Sequence, residues 1–270
     1  MENLLKSALS GIGSKDMKAT SSKPDPIQCP TCKTTKYPYQ PIPIIAPHIW
    51  RHTQCKCEIE KEQQEREREA AVARQERAER LYSKSGLSKR LMACTFESFE
   101  KRPGTEKALE AANRYAEMFT GKTEKGLLFI GGYGNGKSHL AAAICHELIK
   151  REVWCVFWTV PQLLARIRST FNQGNQEQEA DILRSLRSCN LLVLDDLGTE
   201  KVSDWVAETL FVIIDNRYQD MKPVIVTTNC SPKELAEKVG GKTHSRILAM
   251  TEGVLVKAGD YRTRHIQGGE

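Results

Sequence analysis

The octapeptide GGYGNGKS at residues 131–138 constrains this chain more than any other feature. It follows an unbroken apolar run, GLLFI (Gly126–Ile130), and precedes a helical pattern over 137–150. In that context the spacing G-x-x-x-x-G-K-S predicts a buried strand, a backbone loop wrapped closely around an anion, and a helix whose N-terminus faces it. Gly131, Gly134 and Gly136 permit the close approach, while Gly132, Tyr133, Asn135 and His139 complete the loop and the helix start. Lys137 is placed to neutralise β- and γ-phosphates, and Ser138 to ligate Mg²⁺. The expected ligand is ATP with its magnesium.

The flanking pattern agrees with an α/β fold. Helices are expected near 105–119, 137–150, 161–170, 177–187, 203–219 and within 232–250, and strands at 126–130, 153–158, 191–194, 224–228 and 253–257. Apolar strands alternating with helices mean a parallel sheet, here five-stranded, covered on both faces.

Two further segments point to the same ligand. The strand Leu191–Leu194 runs into Asp195 and Asp196, which places two carboxylates at the strand edge where ligands of open α/β sheets bind. Asp195 is expected to hold the magnesium shell. Asp196 is the candidate to polarise an attacking water, with Glu200 as a rival base and a turn cap as the non-catalytic alternative. The strand VIVTT ends at Asn229, whose amide either orients water beside the γ-phosphate or serves the turn before Ser231 and Pro232. Arg246, in THSRILAM, is either a guanidinium supplied across a subunit boundary or a salt-bridge residue, and Arg262, in GDYRTR, is a weaker candidate. Trans-acting arginines contribute roughly 10³–10⁵-fold to hydrolysis in systems that use them.

Upstream, the composition changes twice. Residues 1–57 are rich in Pro and Lys and carry Cys29, Cys32, Cys55 and Cys57, spaced C-x₂-C-x₂₂-C-x-C. Two close thiolate pairs complete a tetrahedral Zn²⁺ site, with His48 or His52 as alternatives for one sulfur. Such a metal contributes about 10–16 kcal/mol of apparent binding energy, enough to fold a module with little core of its own. Leu4, Leu5, Ala8, Leu9 and Ile12 share a helical face, read as a frayed terminus or a partner-docking helix. Residues 58–80 are almost all charged, Gln or Ala, with too few apolar positions for a coiled coil, so a solvated helix is expected there. The resulting division is 1–57, a charged linker at 58–90, and a globular domain at 91–270.

Composition adds limits. No apolar run approaches the ~18 residues of a membrane helix. Nine cysteines, an odd number without an export signal, indicate a reducing, cytoplasmic setting, with Cys94, Cys145, Cys155, Cys189 and Cys230 as core residues. A net charge of +6 permits nucleic-acid contact without arguing for it.

In order, GGYGNGKSH, LLVLDDLG, VIVTTN and THSRI, preceded by SGLSKRLMACTFESF (Ser85–Phe99), resemble the AAA+ ATPases of the DnaC/DnaI-type replicative helicase loaders and the related IstB transposition helpers. The resemblance covers about residues 85–265. It implies an AAA+ sheet with the Asn229 strand inserted between the two phosphate-site strands. It implies nucleotide roles for Lys137, Ser138, Asp195, Asp196 and Asn229, and a trans-acting role for Arg246 in self-assembly. The helix pair between about 161 and 187 corresponds to the element that touches single-stranded DNA in loaders. Arg166, Arg168, Arg184 and Arg187 are the candidates there, with no aromatic stacking platform interleaved among them in sequence. The cysteine-bearing module is implied to dock on the hexameric replicative helicase. Asp196 departs from the Glu that many AAA+ enzymes carry, which suggests slow, switch-like hydrolysis. A duplex-DNA-binding transposition helper is the alternative reading.

Overall fold

The computed structural model describes residues 23–43, 49–120, 123, 125–171 and 178–263. The apolar face at Leu4–Ile12, and His48, lie outside them. The chain divides into two units, one ending at Ala73 and the other beginning at Arg74.

In the first unit two short antiparallel ribbons arrange the cysteines. Strands β1 (Ile27–Gln28) and β2 (Thr35–Lys36) pair around the CPTC turn. There the Cys29 amide donates to the Thr34 carbonyl at 2.9 Å, and Lys33 adopts a left-handed backbone. Strands β3 (Pro38–Tyr39) and β4 (Arg51–His52) pair next and lead to Cys55. The Cys55 carbonyl accepts the Glu58 and Ile59 amides, both at 3.1 Å, as helix α1 (Lys56–Lys84) begins. Lys36 on β2 forms a 2.5 Å ion pair with Glu58, fastening the ribbon to the first helical turn.

Helix α1 has no fully buried residue, as its sequence dictates. It is longer than the expected 58–80, however, and its end is not a free spacer. Ala78, Leu81 and Tyr82 pack against the core of the second unit.

That unit holds a sheet of five parallel strands in the order β6-β7-β8-β5-β9. The strands are β5 (Gly126–Ile130), β6 (Cys155–Thr159), β7 (Leu191–Asp195), β8 (Val224–Thr228) and β9 (Thr251–Leu255). β6 begins two residues later than expected and β9 two earlier. In both cases apolar composition misplaced the boundary where the ladder register decides it. As the resemblance implied, β8 lies between β5 and β7.

Helices α2 (Glu106–Met118) and α3 (Lys137–Lys150) contribute to one of two core clusters; α4 (Val160–Ser169), α5 (Glu179–Ser188), α6 (Asp204–Gln219), α7 (Pro232–Val239) and α8 (Gly241–Met250) contribute to the other. Strand β7 shows why both faces must be covered. Leu192 and Leu194 enter one cluster and Leu191 and Val193 the other, all fully buried. Alternate residues of a strand face opposite sides, and each such side chain contributes about 1.5–3 kcal/mol on burial. Cys145, Cys155, Cys189 and Cys230 are buried as expected, while Cys94 is half-buried. Among the described residues no helix is long and apolar enough to cross a membrane.

Candidate nucleotide site and four-cysteine cluster

The phosphate loop joins the end of β5 to the start of α3. Gly134 and Gly136 hold φ of +62° and +102°, a region costly for residues with a Cβ. A Cβ on Gly134 would strike the Asp260 carboxylate, and one on Gly136 would lie 2.8 Å from the Phe99 ring. The Gly131 amide donates to the Thr228 carbonyl at 3.2 Å, tying the loop to β8. Inside the loop Lys137 is 4% exposed. Its Nζ donates to the carbonyls of Gly131 (2.8 Å) and Gly132 (2.6 Å), to Asn135 Oδ1 (3.1 Å) and to Asn229 Oδ1 (2.8 Å). Burial lowers its pKa; the charges of Asp196 and Asp195 oppose that, and the charge of Arg262 adds to it.

The acidic tip sits on the neighbouring strand. Asp195, 3% exposed, accepts a 2.6 Å hydrogen bond from Thr227 Oγ1, and that oxygen accepts the Asp196 amide at 2.9 Å. Burial raises the Asp195 pKa and the adjacent Asp196 adds to this, while the hydroxyls of Thr227 and Ser138 and the charge of Lys137 work against it. Asp196 itself sits at φ +58° and is half-buried. A non-glycine residue in this region stores strain that clusters at functional sites. Glu200 turns back on its own loop: both carboxylate oxygens lie within 3.2 Å of the Gly198 amide, and burial raises its pKa.

Other candidate residues occupy different places. The Tyr133 side chain is 68% exposed. Asn135 is a brace, its amide donating to the Val256 carbonyl at 3.0 Å. The ring of His139 is held by the segment that precedes the sheet. Nε2–H donates to the Thr95 carbonyl at 2.7 Å, and the ring meets Phe99 edge-on at 5.0 Å. Burial lowers its pKa.

Arg246 on α8 forms a 2.6 Å ion pair with Asp215 on α6 and lies over the rings of Phe211 and Tyr218. It lines an open cleft of about 440 Å³ with Tyr218, Gly241, Lys242, Ser245 and Ala249. The four arginines of α4 and α5 fall into two classes. Arg184 pairs with Asp181 (2.9 Å), and Arg187 grips Asp220 through two bonds of 2.7 and 2.9 Å. Arg166 lies 5.0 Å from the Trp158 ring and Arg168 4.7 Å from the Trp205 ring, with Phe171 edge-on to Trp205. Two of the arginines thus lie beside aromatic rings, Trp158 of β6 and Trp205 of α6, both of which also pack against the core.

The reading of the residues missed Thr227, which links the two aspartates across β7 and β8. Its only signal was a hydroxyl inside an apolar strand, VIVTT. It also missed Arg102, whose Nη1 donates to Gly259 O (3.0 Å) and Nη2 to Gly134 O (3.4 Å).

In the first unit the sulfurs of Cys29, Cys32, Cys55 and Cys57 all lie within 4.8 Å of one another. Three contacts measure 3.1–3.5 Å: Cys55 to Cys57, Cys32 to Cys57 and Cys29 to Cys57. A tetrahedral zinc with Zn–S near 2.3 Å needs sulfurs about 3.8 Å apart, so this donor set fits the ion. The surroundings favour thiolates at two positions. The Thr34 hydroxyl and amide bring Cys32 down to about 6, and the amides of Cys32 and Thr31 lower Cys29. Crowding by the other three sulfurs pushes Cys57 up, the opposition a cation would relieve. His52 is outside the cluster, its Nε2 2.8 Å from the Asp25 carbonyl.

A phosphate loop, an acidic strand tip and an inserted strand ending in a polar amide, on a five-stranded parallel sheet of this order, define a P-loop ATPase of the AAA+ class. Its family is equally well marked. The model described as IstB-like ATP binding protein matches residues 62–267, and the chain belongs to that nucleotide-binding ATPase family. The replicative helicase loader DnaC of Escherichia coli K12 is 31% identical over 201 residues, covering 72% of this chain and 81% of that protein. The crystal structure of the DnaC helicase loader superposes with a TM-score of 0.58 at 30% identity, covering 63% of this chain and all of that one. The crystal structure of DnaI gives 0.55 at 26% identity, covering 64% and 95%.

Proposed function

We propose that this protein is an ATP-dependent loader of a hexameric replicative helicase onto single-stranded DNA. The observation that carries the reading is the joined phosphate loop and acidic tip in a chain 31% identical to DnaC over most of its length. Lys137 and the loop amides hold the phosphates, while Ser138 and Asp195 hold the magnesium, which supplies charge neutralisation on the phosphate oxygens. Asp196 orients the attacking water, Asn229 contacts the γ-phosphate, and Arg246 acts on the site of the next subunit. In a free chain Arg246 is held by Asp215, so assembly must exchange that carboxylate for phosphate.

Other surfaces take the macromolecules. The arginine–tryptophan pairs of α4 offer charge and ring faces suited to unstacked bases. The four-cysteine unit docks on the helicase. Residues 1–61 lie outside the IstB-like match, and their cysteines favour a loader over a transposition helper. Mixing the full chain with the replicative helicase of its own source tests this. Co-elution with ATP and transfer of helicase to single-stranded DNA is expected; filaments on duplex DNA and no helicase capture would favour the transposition helper.

A further inference from the structure

We propose that the four-cysteine unit carries its own contact to single-stranded DNA, a two-tyrosine platform on the ribbon of β3 and β4. This rests on the reading of single-stranded DNA as the protein's substrate, since ring faces and cations accept any unpaired strand.

Alternation along β3 makes the platform. Pro38 is buried, which turns its neighbours Tyr37 and Tyr39 outward, 61% and 44% exposed. Residues two apart on a strand stand roughly 6–7 Å from one another, so the two rings share one face of the ribbon with space for a base at each. The register puts Arg51 directly opposite Tyr39. Thr53 stands opposite Tyr37: the Tyr37 amide donates to Thr53 Oγ1 at 2.9 Å, and the Thr53 amide to the Tyr37 carbonyl at 2.8 Å. Residues directly opposite share a face, so the Arg51 cation belongs to the same surface as the rings.

Charge on the ribbons is one-sided. Residues 23–57 carry Lys23, Lys33, Lys36, Arg51 and Lys56, against Asp25 as their one acid. Lys36 is committed to Glu58 and Lys56 reaches Glu60, but among the described residues neither Lys33 nor Arg51 forms an ion pair. Lys33 is exposed at the CPTC turn. After Asp25 the next acid is Glu58, so the glutamates lie along α1 and the free cations on the ribbons. Such a division suits a polyanion with open bases: the cations take phosphates, and each tyrosine offers its ring to a base. A duplex keeps its base faces inside its own stack and has nothing to give the rings.

The test measures binding of fluorescent oligothymidylate, oligouridylate and a DNA duplex by the full chain, as wild type, Tyr37→Ala/Tyr39→Ala, Tyr37→Phe/Tyr39→Phe and Arg51→Glu. The double alanine variant is expected to bind oligothymidylate about tenfold more weakly or worse, the range of lost base stacking, while the double phenylalanine variant stays near wild type. R51E is expected to weaken binding and to flatten its salt dependence. Duplex affinity, Mg-ATP affinity and helicase capture stay at wild-type values. Where the alanine variant loses protease resistance before Ala73, R51E decides, and unchanged oligothymidylate affinity there overturns the proposal. Equal affinity in a folded double alanine variant and wild type overturns it too, leaving single-stranded DNA to α4. Loss of helicase capture with DNA affinity kept gives the face to the helicase, and a loss confined to oligouridylate gives it to RNA; either overturns the proposal. No uptake of oligothymidylate by folded wild type overturns both this contact and the reading it rests on.

Discussion

Lys137 and Asn229, ninety-two residues apart, meet at 2.8 Å where the phosphate loop touches the tip of β8. The ammonium lies within hydrogen-bond distance of four oxygens, three from the phosphate loop and one from the tip of β8, so it joins the loop to the inserted strand. Lys137→Ala is expected to abolish Mg-ATP uptake in calorimetry. Asn229→Ala is expected to keep uptake within about tenfold and to slow phosphate release by 10²-fold or more, in the range of lost oriented polar contacts. Equal damage to binding by both changes would contradict separate roles.

Asp195 should trade stability for function. Between the ordinary carboxylate value of 3.8 and its raised folded value, the fold holds the proton more tightly than the unfolded chain does. Stability therefore falls as pH rises through that window, and the cost is complete once pH exceeds the raised value. Asp195→Asn is expected to melt a few degrees higher than wild type at pH 7, with the difference vanishing in acid, and to lose magnesium-dependent nucleotide binding. A lower midpoint at neutral pH would show that the carboxylate's bonds outweigh its burial.

His139 gives a pH signature of opposite direction. Burial lowers its pKa below the ordinary 6.5, so on acidification the unfolded chain takes up the proton first. Its contribution is complete above about 6.5 and is lost as pH falls toward the folded value. In chemical denaturation across this range, His139→Gln should reduce the slope of stability against pH. A gain in slope would place the imidazole in an ion pair that the geometry does not contain.

For the first unit, about one zinc per chain is expected by atomic spectroscopy, lost in the C29S/C32S variant. A chelator should then open residues before Ala73 to proteolysis while the full chain still binds Mg-ATP. A metal-free protein with protease resistance there would remove the metal from the account.

Arg246→Ala should bind Mg-ATP normally and hydrolyse it about 10³-fold more slowly. In mixtures with Lys137→Ala chains, part of the activity should return, since the proposed assembly puts each defect on a different side of a subunit boundary. No recovery in the mixture would confine Arg246 to its ion pair with Asp215.

The strand–loop–helix at 126–150 and the acidic tip at 195–196 were legible because local spacing alone defines them. The cysteine pairs were legible for the same reason, and the structure gathers all four sulfurs. What escaped depended on partners far along the chain. Thr227 serves Asp195 across two strands, Arg102 reaches Gly259 across 157 residues, and Trp205 meets Arg168 from another helix. The partners of the His139 ring, Thr95 and Phe99, were likewise not legible, because a motif position says where the backbone lies and not where the ring turns. Strand ends at 155 and 251 escaped because register, set by neighbours, decides them.

The central claim is that ATP occupancy governs the grip on a helicase. The direct measurement is the mass of complexes formed by the full chain and its own replicative helicase, with Mg-ATP, with Mg-ADP and with Lys137→Ala. The account predicts a defined loader–helicase assembly on single-stranded DNA with Mg-ATP and wild type alone. The same assembly with Mg-ADP or with Lys137→Ala would contradict it.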